Sequence, residues 1–208
     1  MAKGELFIIS GPSGTGKGTV CDELVRRGDV FLSVSATTRN IRAGEQEGVT
    51  YYYTTKEQFA EMVENGTMLE AATYGGHYYG TPKAAVEKML DEGKNVILEI
   101  DAQGALLVKE KMPDSILIFI IPPTIKELRK RLISRGREDD SEIVKRIERA
   151  EWELSQSPEY DYVLVNDDLE TCVNDTLNII KTENEQQRAR EIVEELRNEL
   201  KGGNYYDD

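Results

Sequence analysis

The sequence predicts one α/β body, a parallel sheet with helices on both faces, carrying a small mixed α+β insertion. Apolar runs of about five residues recur at Leu6–Ser10, Val96–Ile100, Ile116–Ile121 and Tyr162–Val165, the pattern of strands buried on both faces. The stretches between them space their apolar residues as helices do. At 208 residues the chain suffices for one well-buried core and is short for two domains of usual size.

The first strand runs into Gly11-Pro12-Ser13-Gly14-Thr15-Gly16-Lys17-Gly18-Thr19, after which Val20, Leu24 and Val25 mark the apolar face of a helix. Glycines let the backbone wrap close enough for successive N–H groups to face phosphate oxygens. The helix N-terminus adds positive potential, and Lys17 reaches the β- and γ-phosphates. The segment therefore reads as a P-loop for a nucleoside polyphosphate. The strict pattern has Ser or Thr directly after the lysine; here Gly18 stands there and Thr19 follows, which counts against a direct hydroxyl contact to a magnesium ion.

From about Ser35 to Thr81 the pattern changes to short Tyr- and Thr-rich segments, Thr50–Thr54 and Thr67–Tyr74, around a helix starting near Thr55. At least one ring among Tyr51, Tyr52 and Tyr53 is expected to pack inside this insertion. Its entry, Ser35-Ala36-Thr37-Thr38-Arg39-Asn40-Ile41-Arg42, sets two arginines three residues apart, with Glu45 and Tyr51 soon after. Arg39, Arg42 and Tyr51 can clamp one phosphate through fork-shaped and phenolic donors. His77, the one histidine, reads as an exposed loop residue, which sets imidazole chemistry aside. Thr81 followed by Pro82 reads as a helix N-cap with proline at the first helical position.

Farther on, Ile125, Leu128 and Leu132 mark a helix opened by a Thr124–Glu127 capping box, and Ile143, Ile147, Ala150 and Leu154 mark another. Between them lies Ser134-Arg135-Gly136-Arg137-Glu138-Asp139-Asp140-Ser141, a polar loop among arginines that reads as a lid at about 135–141. The plainer reading of the second helix is a solvated face with an i,i+4 pair, Glu142–Arg146. Ile192, Leu196 and Leu200 give 183–201 the spacing of a surface helix. The expected organisation is a core of 1–34 and 82–182, an insertion of 35–81, and a charged C-terminal helix and tail of 183–208.

A net charge of −13 with 31% charged residues disfavours nucleic acid polymers and anionic membranes. Any phosphate must be met by a local cluster of cations. Cys21 and Cys172 show no metal-like spacing and suit reduced thiols. The run Leu6–Ile9 is too short for the core of a signal peptide, and no stretch approaches the roughly 18 apolar residues of a membrane span. A cytoplasmic location is expected, and the sequence leaves self-association open.

With Gly76-His77-Tyr78-Tyr79-Gly80-Thr81 and Ile100-Asp101-Ala102-Gln103-Gly104 added to the loop and the Arg-x-x-Arg segment, the chain resembles the guanylate kinase family over roughly residues 5 to 180. The resemblance implies a P-loop NTPase core and transfer of the γ-phosphoryl group of ATP to GMP. It implies that Arg39, Arg42, Tyr51 and Tyr79 hold the GMP phosphate while Ser35, Glu70, Thr81 and Asp101 address the base. Gly11 to Thr19 would bind ATP, with Asn166 and Asp167 near the adenine. Lys17, Arg42, Arg135 and Arg146 are the implied catalytic set; Arg131 is a lesser candidate, and Arg137 and Arg149 are left unassigned. The implied cofactor is Mg²⁺, held mainly by phosphates and water, with Thr19 or Asp101 as candidate protein contacts.

Guanine presents N1–H and N2–H₂ donors that Glu70 and Asp101 can accept, whereas adenine has no N1–H and would leave a carboxylate unpaired. The acceptor phosphate has its second pKa near about 6, so transfer needs no strong base. The alternatives are a kinase for another nucleoside monophosphate, or a non-catalytic protein-binding module of the same fold. An intact Gly16-Lys17 and arginine pair argue against the latter.

Overall fold

The structure, a computed structural model, describes residues 3–28, 30–134 and 140–202. In chain order, β1 (Leu6–Ser10), α1 (Lys17–Arg27) and β2 (Val30–Leu32) are followed by β3 (Ala36–Thr37), β4 (Tyr52–Tyr53), α2 (Lys56–Glu64), β5 (Met68–Tyr74) and β6 (His77–Pro82). Then come α3 (Lys83–Asp91), β7 (Asn95–Glu99), α4 (Ala102–Lys111), β8 (Ile116–Ile121), α5 (Ile125–Ser134), α6 (Asp140–Ser155), β9 (Tyr162–Val165) and α7 (Leu169–Gly202).

Five strands form a parallel sheet in the order β2-β7-β1-β8-β9. Successive side chains on a strand point to opposite faces, and both faces here are apolar. Leu6 and Ile8 of β1, Val96 and Leu98 of β7, and Leu117 and Phe119 of β8 pack with Val86 and Leu90 of α3 and Ala105 and Val108 of α4. Phe7, Ile9, Ile97, Ile118 and Ile120 pack with Val20 and Leu24 of α1 and Cys172, Val173 and Ile180 of α7. That two-sided burial is why the strands read as unbroken apolar runs rather than alternating ones.

A second, mixed sheet has the order β4-β3-β6-β5, with β3 and β4 parallel and the other pairs antiparallel. Phe59 of α2 packs with Ala36 and Met68, and its ring stacks on Tyr78 at 5.6 Å between centroids. A full capping box starts α2: Gln58 N–H donates to the Thr55 hydroxyl, and Thr55 N–H donates to the Gln58 side chain.

Several local expectations change. The residue before α3 is Pro82, not Thr81; Thr81 lies in β6, where its hydroxyl donates to Glu70 at 2.8 Å. His77 also lies in β6 and is half-buried. Half of the Thr124–Glu127 box forms: Glu127 N–H donates to Thr124 Oγ1 at 3.0 Å, while the Glu127 carboxylate accepts from Arg131 Nε at 3.1 Å. The C-terminal helix is no separate element but the continuation of α7. Cys21 and Cys172 are buried free thiols, pushed up by burial, Cys172 to about 11. No helix of the described residues is long and apolar enough to cross a membrane.

Phe119 is buried on β8, with the Tyr160 ring 4.6 Å away between centroids. Phe119→Ala is expected to lower stability by about 3–5 kcal/mol, read as a shift of the urea midpoint. A loss below about 1 kcal/mol would contradict the packing described.

Candidate active site

β1 ends in the middle of the sheet, and the loop that leaves it turns into α1 through Gly16, which has φ +91°. A side chain there would be strained by that backbone angle, and its Cβ would lie 2.5 Å from Asn166 Nδ2. The N-cap of α1 makes no side-chain hydrogen bond, and the first turn carries no acidic residue. The amide end of the helix therefore keeps its positive potential for an anion. Lys17 Nζ lies over the loop, donating to the carbonyls of Gly11 at 2.5 Å and Pro12 at 3.0 Å.

Asn166, 6% exposed, braces this loop: its Nδ2 donates to the Thr15 carbonyl at 2.8 Å, and its own carbonyl accepts from Arg131 Nη2 at 3.0 Å. One of the two amide N–H groups of Asn166 is thus spent on the loop backbone.

A cleft of about 340 Å³ joins the loop to the second sheet. From the loop, Gly11, Ser13, Gly14, Gly16, Lys17 and Gly18 line it; from the other elements, Ser35, Arg39, Arg42, Tyr51, Glu70, Tyr79, Asp101 and Arg146 do. The remaining expected residues stand elsewhere. Pro12 and Thr15 shape the loop from within, Thr15 Oγ1 donating to the Pro12 carbonyl at 3.0 Å. Thr19 is exposed on α1 and does not line the cleft, and Thr81 is buried against Glu70. Arg135, with Arg137 and most of the expected lid, lies outside the described residues.

The arginine pair is organised by Glu45. Arg39, 8% exposed, donates from Nη2 to Glu45 Oε1 at 2.7 Å and from Nη1 to Oε2 at 2.9 Å. Glu45 Oε2 also accepts from Arg42 N–H at 2.7 Å and from the Tyr53 hydroxyl at 2.8 Å. These donors, Arg39 foremost, hold the Glu45 carboxyl down at about 2. The Arg39 guanidinium lies 5.4 Å from the centre of the Tyr51 ring, which meets Tyr53 and Tyr79 edge-on. Burial pushes the Tyr51 hydroxyl up to about 12, so it is a donor at neutral pH.

At the inner end two carboxylates converge. Glu70 of β5 is 3% exposed; burial lifts its carboxyl to about 7 despite the Thr81 hydroxyl bond, and the Asp101 charge adds to the rise. Asp101 caps α4, accepting from Gly104 N–H at Oδ1 at 2.8 Å. Only a residue without a side chain fits between them easily, because a Cβ on Gly104 would lie 3.0 Å from Glu70 Oε2 and 3.4 Å from Asp101 Oδ1.

From the other side, α6 brings Arg146, whose Nη1 donates to Ser13 Oγ at 3.3 Å, and Arg149, whose Nη2 donates to Asp101 Oδ2 at 2.7 Å. Glu99, Glu153 and the organising role of Glu45 had no place in the expected site. Glu99 carried a readable signal, a charge closing an apolar strand beside the loop; a Cβ on Gly18 would lie 3.6 Å from its carboxylate oxygens. Glu153 carried none, since one carboxylate among many on a polar helix looks like solvated surface.

The guanylate kinase family model matches residues 3–183. A guanylate kinase of Clostridium perfringens (strain SM101 / Type A) is 53% identical over 172 residues, covering 82% of this chain and 80% of the relative. One of Clostridioides difficile (strain 630) is 45% identical over 201 residues, covering 95% and 98%. The crystal structure of guanylate kinase from Anaplasma phagocytophilum superposes with a TM-score of 0.74 at 35% identity, covering 88% of this chain and 87% of that one. A polyphosphate loop, an arginine pair and two facing carboxylates thus share one cleft in a chain alike in sequence and shape to these enzymes over nearly its whole length, and the chain belongs to the guanylate kinase family.

Proposed function

We propose that this chain transfers the γ-phosphoryl group of Mg-ATP to GMP, giving ADP and GDP. The observation that carries the reading is the single cleft that opens on the phosphate loop at one end and on Glu70 and Asp101 at the other, with Arg39 and Arg42 between. The loop amides and Lys17 hold the β- and γ-phosphates. Arg39, Arg42, Tyr51 and Tyr79 hold the acceptor phosphate, and Ser35 faces the base beside the two carboxylates. Thr81 acts through Glu70, whose carboxylate it orients. Asn166 serves ATP by bracing the loop.

The acceptor phosphate oxygen attacks the γ-phosphorus in line as the bond to the β-bridging oxygen breaks, and ADP leaves with that electron pair. No residue need take a proton from a phosphate already mostly dianionic. The chain's contribution is alignment and positive charge where negative charge spreads: Lys17, Arg42 and Arg146, joined in this reading by Arg135. Mg²⁺ is a hard cation that takes oxygen ligands. Among the described residues no cluster of three or more His, Cys, Asp or Glu is arranged to hold a metal ion. Glu99, which lines the cleft beside Gly18, would be the protein contact for it in place of exposed Thr19, and the ion would supply charge neutralisation at the phosphates.

The deciding assay is ADP formation from Mg-ATP with GMP, AMP, CMP and UMP offered separately. Turnover with GMP alone is expected, reduced about a hundredfold or more in Lys17→Ala. Turnover with a different acceptor would refute the base site; nucleotide binding without turnover would favour the non-catalytic module.

Glu70 gives a second test. Its carboxyl is pushed up to about 7 in the folded chain against 4.5 for an ordinary glutamate, so the folded state holds the proton more tightly. That contribution to stability is complete below pH 4.5 and is lost as pH rises through 7. Above pH 7 the buried charge costs on the order of 3 kcal/mol. Glu70→Gln is therefore expected to raise the thermal midpoint at pH 8 and change it little at pH 5, while raising the KM for GMP about a hundredfold and sparing ATP binding. Equal losses for both nucleotides, or destabilisation at pH 8, would count against this assignment.

A further inference from the structure

Among the described residues, Arg149 of α6 is drawn against the inner carboxylate Asp101, and its geometry is that of a brace. Its Nη2 donates to Asp101 Oδ2 at 2.7 Å and its Nε lies 3.4 Å from Glu153 Oε1. Glu153 is 3% exposed, so the guanidinium meets one carboxylate at Nη2 and a second, buried one at Nε. Asp101 Oδ1 is held independently by Gly104 N–H at 2.8 Å. Two donors from two elements, α4 and α6, therefore fix the plane of one carboxylate, while each oxygen keeps a second lone pair for an incoming N–H donor.

One turn earlier on α6, Arg146 reaches Ser13 of the phosphate loop at 3.3 Å. Residues three apart on a helix share a face, so α6 touches both ends of the cleft through a single rigid element. An arginine suits this position because its fork addresses two carboxylates at once, whereas a lysine offers one nitrogen.

We propose that Arg149 is a positioning residue of the base site: from α6 it sets the Asp101 carboxylate, tying the helix that carries Arg146 to the group that reads the acceptor base. This rests on the reading of Asp101 as a base contact, and the experiment separates the two.

Steady-state kinetics are measured with varied GMP and with varied Mg-ATP for Arg149→Gln, Arg149→Lys, Asp101→Asn and the Arg149→Gln/Asp101→Asn double variant, beside thermal melts of each. Asparagine keeps the cap on α4. Arg149→Gln is expected to raise the KM for GMP about tenfold, with the KM for Mg-ATP within about twofold of the parent and the melting midpoint lowered because buried Glu153 loses a partner. The double variant should be no worse than Asp101→Asn alone, the mark of one shared interaction, and Arg149→Lys should recover part of the loss. A normal KM for GMP in Arg149→Gln beside a raised one in Asp101→Asn overturns the brace and leaves the base site standing. Losses that multiply in the double variant, or that fall equally on both substrates, also overturn it. A silent Asp101→Asn overturns the base contact and the brace together.

Discussion

Because β1 is paired along both edges, with Phe7 opposite Ile97 of β7 and Ile116 of β8, and covered on both faces, the backbone that leaves it starts from a firmly anchored point. The phosphate loop inherits that rigidity. So do Glu99, which ends β7, and Asp101, which follows it, and Asn166, which follows β9 and reaches back to Thr15. In a parallel sheet all these carboxyl ends emerge on one edge, and β1, where the strand order turns from one side to the other, is where a crevice opens. The cleft thus follows from sheet topology before any side chain in it is considered.

A chain with net charge −13 must still present cations to phosphates, and it does so by keeping several of them on short tethers. Lys17 lies on loop carbonyls, Arg39 on Glu45, Arg149 on Asp101 and Glu153, and Arg131 on Glu127. Tethering removes the side-chain entropy an incoming substrate would otherwise have to overcome. It also holds the cations in place against the repulsion they would feel when crowded together. The Arg39–Glu45 pair shows the arrangement most fully, since Glu45 binds the Arg39 fork and the Arg42 backbone at once and so spaces the two arginines.

What was legible in the sequence was what local chemistry dictates. Two-sided burial made the four long core strands visible as apolar runs, and the glycines and Lys17 marked the loop, because both signals are written in consecutive residues. β2 escaped notice because three half-buried residues at a sheet edge leave no run to read. Thr81 was read as a helix cap because Thr-Pro is a good local start signal; the buried Glu70 carboxylate, eleven positions away in sequence, outbids the backbone for its hydroxyl. The polar partners of the cleft, Glu153 and Arg149, are joined to it by pairings between distant elements, which no window of sequence contains. The four-residue spacing of Arg149 and Glu153 is visible, but it looks like any surface ion pair until Asp101 is brought beside it.

The inner end of the cleft is where the fold works against its own stability, and its surroundings explain how that is tolerated. Burying Glu70 next to Asp101 opposes both desolvation and like charge. The hairpin carrying it is fastened on two sides. Along β5 and β6 the pairing runs from Met68 opposite Pro82 to Tyr74 opposite His77. Across to the core, Lys111 of α4 donates to the Leu69 carbonyl at 2.6 Å, and Gly104 of the same helix leaves space for Glu70 Oε2. A carboxylate held this way cannot swing out to water to relieve its charge, so it must either stay protonated or meet a donor. A base edge with two N–H groups is such a donor. Under the proposed function, the cost of burying this carboxylate is relieved by the base that fits it, and discrimination between bases follows from how completely that relief is achieved.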